Sequence, residues 1–80
     1  MDAKHSKFLK DFGQLVKKHR ELKNYTLEDL EFHTGIDSSD FNKIEQGKTN
    51  ITFRTFLKVS IGLGIQPKEL LDFKIEFEKE

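Results

Sequence analysis

Two glycines, Gly35 and Gly47, punctuate residues 26–47, TLEDLEFHTGIDSSDFNKIEQG, and limit what this chain can become more than any other feature. Thr26 is a good helix N-cap, and Asp29 follows three residues later, close to a capping-box arrangement. Leu27 and Leu30 then share one helical face. Gly35 stands where that helix must stop and the chain must turn, because glycine accepts positive φ without steric cost. Ile36 is apolar and suited to plug the corner. Asp37, Ser38 and Ser39 offer caps for a second helix. Phe41 and Ile44 give that helix one inward stripe, Ser38, Ser39, Asn42, Lys43 and Gln46 point away, and Gly47 ends it. The pattern predicts two short helices at a tight turn, the second with a small-polar outer face.

Eighty residues make one domain, which buries roughly 60% of its unfolded surface. There is no cysteine, so disulfides, thiolate metal sites and thiol nucleophiles are excluded. The start, MDAKHSKFLKDF, carries charges where a signal peptide needs an apolar run. The weakly polar stretch 59–65 is too short to span a bilayer. A soluble cytoplasmic protein, with no membrane role, is the expectation.

Net charge is zero, which counts against a generic nucleic-acid sponge, but the charges are segregated. Residues 1–23 hold seven Lys/Arg and three acids; residues 24–46 hold six acids and Lys43; residues 47–60 hold Lys48, Arg54 and Lys58 and no acid; residues 61–80 hold five acids and three lysines. Any strongly positive surface must draw mainly on the 48–58 segment and parts of the first helix.

The periodicity predicts an all-α fold of five helices with a short extended tail. Helix one is expected over about residues 6–23, with Phe8, Phe12, Leu15, Val16 and His19 along one stripe. Asn24 and Tyr25 turn the chain out. Residues 48–51 form a loop, and Thr52 caps helix four, to which Phe53, Phe56, Leu57, Val59 and Leu63 supply apolar surface. Gly62 and Gly64 bracket its end. Pro67 suits the first turn of a brief helix five over 67–72, with Leu70 and Leu71 inward. In the tail, residues 73–78 alternate apolar and charged, which is a strand period. Phe73, Ile75 and Phe77 would share one face, and pairing with a second copy would satisfy that strand's backbone. The expected division is residues 1–72 as the binding domain and 73–80 as a tail that helps form a homodimer.

Short helix, glycine turn and polar-faced second helix make up the helix-turn-helix arrangement, whose second helix enters the DNA major groove. Over about residues 12–71 the chain resembles the Cro/phage-repressor type of helix-turn-helix regulators. The resemblance rests on Arg20, Thr26, Leu30, Gly35-Ile36, Phe41, the Ile44-Glu45-Gln46-Gly47-Lys48 block, and Leu63-Gly64-Ile65 before Leu70-Leu71. It implies base contacts from Ser38, Ser39, Asn42 and Lys43. It implies phosphate contacts at or beside Thr26, Gln46, Lys48, Thr49, Asn50 and Arg54. It implies an Arg20–Glu45 pair joining helix one to helix three. The chain departs from the family pattern at Leu27, where a phosphate-binding glutamine is common, at Glu31, where alanine is usual, and at Asp40, often a larger group.

The resemblance implies sequence-specific binding of double-stranded DNA by a homodimeric transcriptional repressor at a palindromic operator. The alternative is an antitoxin-like module that binds a protein partner as well as DNA. His5, His19 and His33 lack metal-ligand spacing, and His19 reads as a hydrogen-bonded core residue. The eight phenylalanines read as core. No nucleophile–base set, carboxylate pair or phosphate loop assembles, so neither an enzyme nor a cofactor or metal is expected.

Overall fold

The computed structural model describes residues 3–74, and among these the chain forms four α-helices, one 3-10 turn and no strand. The helices are α1 (Ala3–Leu22), α2 (Leu27–Thr34), α3 (Ser38–Glu45) and α4 (Phe53–Leu63), followed by the turn Pro67–Leu71. No helix among them is long and apolar enough to cross a membrane.

Each boundary has a local cause. At the end of α1, Asn24 adopts φ 58°, and the Tyr25 N–H reaches back to the Arg20 carbonyl at 3.1 Å, closing the helix. Thr26 opens α2 with a complete capping box, its hydroxyl accepting from the Asp29 N–H while the Asp29 carboxylate accepts from the Thr26 N–H. Thr52 caps α4 by accepting from the Thr55 N–H at 3.1 Å.

The expected fifth helix is a 3-10 turn. Five residues starting at Pro67 supply too few i→i+4 bonds for an α-helix, and the tighter i→i+3 form closes instead, with Glu69 capping the Gln66 N–H at 2.7 Å. Leu70 is buried and Leu71 is exposed, rather than both facing inward.

The core gathers Phe12, Val16, Leu30, Phe41, Ile44, Val59, Leu63 and Leu70 from every element. On α1 the buried face is Leu9, Phe12, Gly13 and Val16; Leu15 and His19 are only half-buried. No hydrogen bond joins the His19 ring to another described residue, so it is a packing residue at the margin and not a bonded core histidine. Ser60 is buried with its hydroxyl donating to the Leu57 carbonyl at 2.9 Å.

The phenylalanines divide. Phe12 and Phe41 are buried, while Phe32 and Phe53 are both 86% exposed, so reading them all as core fails for these two. Phe73 packs edge-on against Phe8, with ring centroids 5.3 Å apart, and lies half-buried against the core of its own chain. Ile75 and Phe77 lie outside the described residues.

Candidate nucleic-acid interface

The site is built around α3, and its frame begins in the preceding turn. Gly35 takes φ 75°, and its N–H returns to the Glu31 carbonyl at 2.8 Å. The Thr34 hydroxyl donates to the Leu30 carbonyl at 2.6 Å and accepts from the Ile36 N–H at 3.1 Å. Glu31, conspicuous in the sequence for its place in the pattern, accepts from the Ser38 N–H at 3.0 Å. A carboxylate on α2 thus caps α3 across the turn. Asp37 completes the start of α3, its Oδ1 accepting from both the N–H (2.9 Å) and the hydroxyl (2.6 Å) of Ser39.

Phe41, Ile44 and Glu45 are the buried side of α3. Ser39, Asp40, Asn42, Lys43 and Gln46 are exposed on the other, and Ser38 is half-buried at the helix start. At the back of α3, the Arg20 guanidinium meets the Glu45 carboxylate through two bonds, Nε to Oε2 at 2.7 Å and Nη2 to Oε1 at 3.0 Å. Its third arm donates to the Tyr25 carbonyl at 2.9 Å. Side-chain exposures of 13% and 4% make this a largely desolvated pair. The hydrogen bond to Glu45 raises the Arg20 pKa above its ordinary value, against the opposing effect of burial. Arg20 therefore ties α1, the α1–α2 turn and the end of α3 together with a permanent charge.

Gly47 turns the chain out of α3 at φ 72°, where its α-carbon faces the Lys10 backbone so closely that a Cβ would stand 2.7 Å from it. The next N–H, from Lys48, closes on the Lys43 carbonyl at 2.9 Å. Lys48 and Asn50 are exposed in the loop, Thr49 is half-buried, and Arg54 is exposed in the first turn of α4. Thr26 stands exposed at the start of α2, its oxygen accepting from the Asp29 N–H at 3.0 Å.

Two carboxyls near these helix starts are held below the ordinary range. For Asp29 the main cause is the Thr26 backbone N–H; for Asp37 it is the Ser39 hydroxyl. Both stay ionised at neutral pH and complement the positive helix ends.

Two structural contributors act over distances that no local sequence pattern signals. Glu31 caps an N–H seven residues on, beyond the three-residue reach of a capping box. Gly13 carried no signal, because a lone glycine inside an amphipathic helix reveals a close approach only once the neighbouring helix is in place.

Two short helices locked across a glycine turn, the second gripped from behind and bare in front, define a helix-turn-helix protein. The chain belongs to the helix-turn-helix domain family, whose model matches residues 13–74. It is 40% identical over 63 residues to the control protein C.BamHI of Bacillus amyloliquefaciens, covering 78% of each chain. It is 33% identical over 61 residues to the HTH-type transcriptional regulator SlrR of Bacillus subtilis, covering 75% of this chain and 40% of that protein. The crystal structure of the restriction-modification controller protein C.AhdI from Aeromonas hydrophila superposes with a TM-score of 0.76 at 35% identity, over 78% of this chain and 94% of that one. These relatives are controllers and regulators, and the antitoxin-like alternative gains no support from them.

Proposed function

We propose that the protein is a transcriptional regulator that binds a palindromic duplex operator as a homodimer, in the manner of a restriction-modification controller. The observation that carries this reading is α3 itself, fixed on its buried side by Phe41, Ile44 and the Arg20–Glu45 pair and open along Ser39, Asn42 and Lys43. In this reading Ser38, Ser39, Asn42 and Lys43 reach base edges. Thr26, Gln46, Lys48, Thr49, Asn50 and Arg54 meet the sugar–phosphate backbone. Binding sites selected from random duplexes test it. Lys43→Ala is expected to relax preference at one base position and to cost about 1–3 kcal/mol there. Lys48→Ala and Arg54→Ala are each expected to weaken binding to every sequence and flatten the salt dependence by about one unit. Unchanged binding by all three variants would remove this surface from consideration.

A single small domain needs a second half-site for useful affinity. The exposed side of α4 supplies a surface for the second copy. Phe53, Leu57 and Ile61, at i, i+4 and i+8, form one stripe and are 86%, 48% and 75% exposed. Together they present on the order of 400 Å² of apolar surface, about half of what one partner buries in an interface of ordinary size. Beside Phe53 lies a recess of about 320 Å³ bordered by Phe8, Leu9, Ile51, Phe56 and Leu71. A ridge next to a recess on one face is self-complementary under two-fold symmetry. The Leu57→Glu/Ile61→Glu double variant is expected to sediment as a monomer with its helical content intact and its operator affinity reduced. Truncation after Asp72 separates this interface from one formed by residues 73–80: a truncated protein that remains dimeric supports the α4 stripe, and a monomeric one returns the contact to the tail.

A further inference from the structure

The reading face of α3 is chemically lopsided. At its first turn stand Asp37, Ser39 and Asp40; at its last stands Lys43. A serine hydroxyl normally serves either as donor or as acceptor. That of Ser39 has lost the choice. Its single proton is given to Asp37 Oδ1 at 2.6 Å, and the same oxygen takes the Ser39 N–H at 2.9 Å. Bonds to an ionised acceptor are short and about twice as strong as neutral ones, so turning the hydroxyl toward a base would forfeit the strongest contact it has. What Ser39 presents outward is a pair of oxygen lone pairs.

In the major groove, acceptors alone face outward from guanine (N7 and O6), whereas cytosine N4 and the N6 of adenine carry protons to donate. An acceptor-only hydroxyl set between two carboxylates repels the first kind of edge and attracts the second. Lys43 carries only donors and suits guanine. Four residues separate the two positions, or about 6 Å along the helix at about 1.5 Å per residue, comparable to two base steps at about 3.4 Å each.

We propose that Ser39, locked as an acceptor by Asp37, reads an exocyclic amino group of cytosine or adenine about two base pairs from the base read by Lys43. This rests on the proposed DNA-binding reading of α3. Asp37 is then a positioning residue: it touches no base and sets what Ser39 can recognise.

The test begins from the operator selected by the wild-type protein. Each cytosine or adenine of a half-site is replaced in turn by 2-pyrimidinone or purine, which lack the amino group. At one position the wild-type protein is expected to lose roughly tenfold in affinity, while Ser39→Ala, already weakened to a similar degree, loses no more. Asp37→Ala, which frees the hydroxyl proton, is expected to lose the preference at that same position. Asp37→Asn, whose carbonyl oxygen still accepts, is expected to keep it. Circular dichroism of both Asp37 variants checks that α3 stays formed, and the Asn variant keeps the test decisive if the Ala variant unfolds.

If the amino-group losses are equal in wild type and Ser39→Ala at every position, or if Ser39→Ala couples instead to removal of guanine N7, the inference is overturned while sequence-specific binding stands. If the wild-type protein selects no sequence at all, the DNA-binding reading itself fails.

Discussion

Gly13→Ala is expected to destabilise the fold by about 3 kcal/mol or more, even though alanine is the better helix former. In an ordinary helix interior the same change would add roughly 1 kcal/mol of stability. Here a methyl group at Gly13 would drive into the carbonyl oxygens of Ile44 and Glu45, where α1 crosses the end of α3. Side chains relieve overpacking by changing rotamer, but backbone oxygens have no such freedom, so α1 must lift off α3. Lifting it opens the seam between Phe12 and Val16 on one helix and Phe41 and Ile44 on the other. In a domain of this size, a loss of about 3 kcal/mol lowers Tm by about 15 °C. Thermal unfolding followed by circular dichroism measures it, with Gln14→Ala on the exposed side as the control. A Gly13→Ala protein as stable as wild type would mean that α1 and α3 do not approach this closely.

The second large effect concerns Arg20 and Glu45. Removing either partner leaves the other charge buried without its counter-ion, which costs about 3–5 kcal/mol. We expect Arg20→Ala and Glu45→Ala each to fall in that range. The double variant should be far less destabilised than the sum, because the second substitution removes the stranded charge. Arg20→Lys should also be costly: an ammonium cannot reproduce the planar fork that holds both Glu45 oxygens while a third arm reaches the Tyr25 carbonyl. Denaturant unfolding of the four proteins gives the cycle, and additive losses would show that the two charges act independently.

How far these features are legible in the sequence depends on the range over which each acts. Caps and turns are local. Thr26 with Asp29, Gly35, Asp37 and Thr52 do what their residue types and spacing require within a few positions of themselves. The Arg20–Glu45 contact spans 25 residues, and only likeness to a known family suggested it.

Where tertiary placement decides, sequence patterning misleads or is silent. Phe53 is chemically indistinguishable from Phe12, yet one lies on the open side of α4 and the other in the core. Leu71 is as apolar as Leu70 beside it, yet the packing of the 3-10 turn buries one and leaves the other exposed. The approach at Gly13 depends on a neighbouring backbone and leaves no trace in local periodicity.

The bond from Ser38 to Glu31 has one more consequence. Together with Phe41, Ile44 and Glu45, and with the Asp37 cap on Ser39, it anchors α3 without using the side chains of the proposed base-reading residues Asn42 and Lys43. Grip and vocabulary are therefore separable in this protein. Its operator can drift, or be redirected by design, through exchange of a few outward residues, while the scaffold that presents them keeps its stability and its pose.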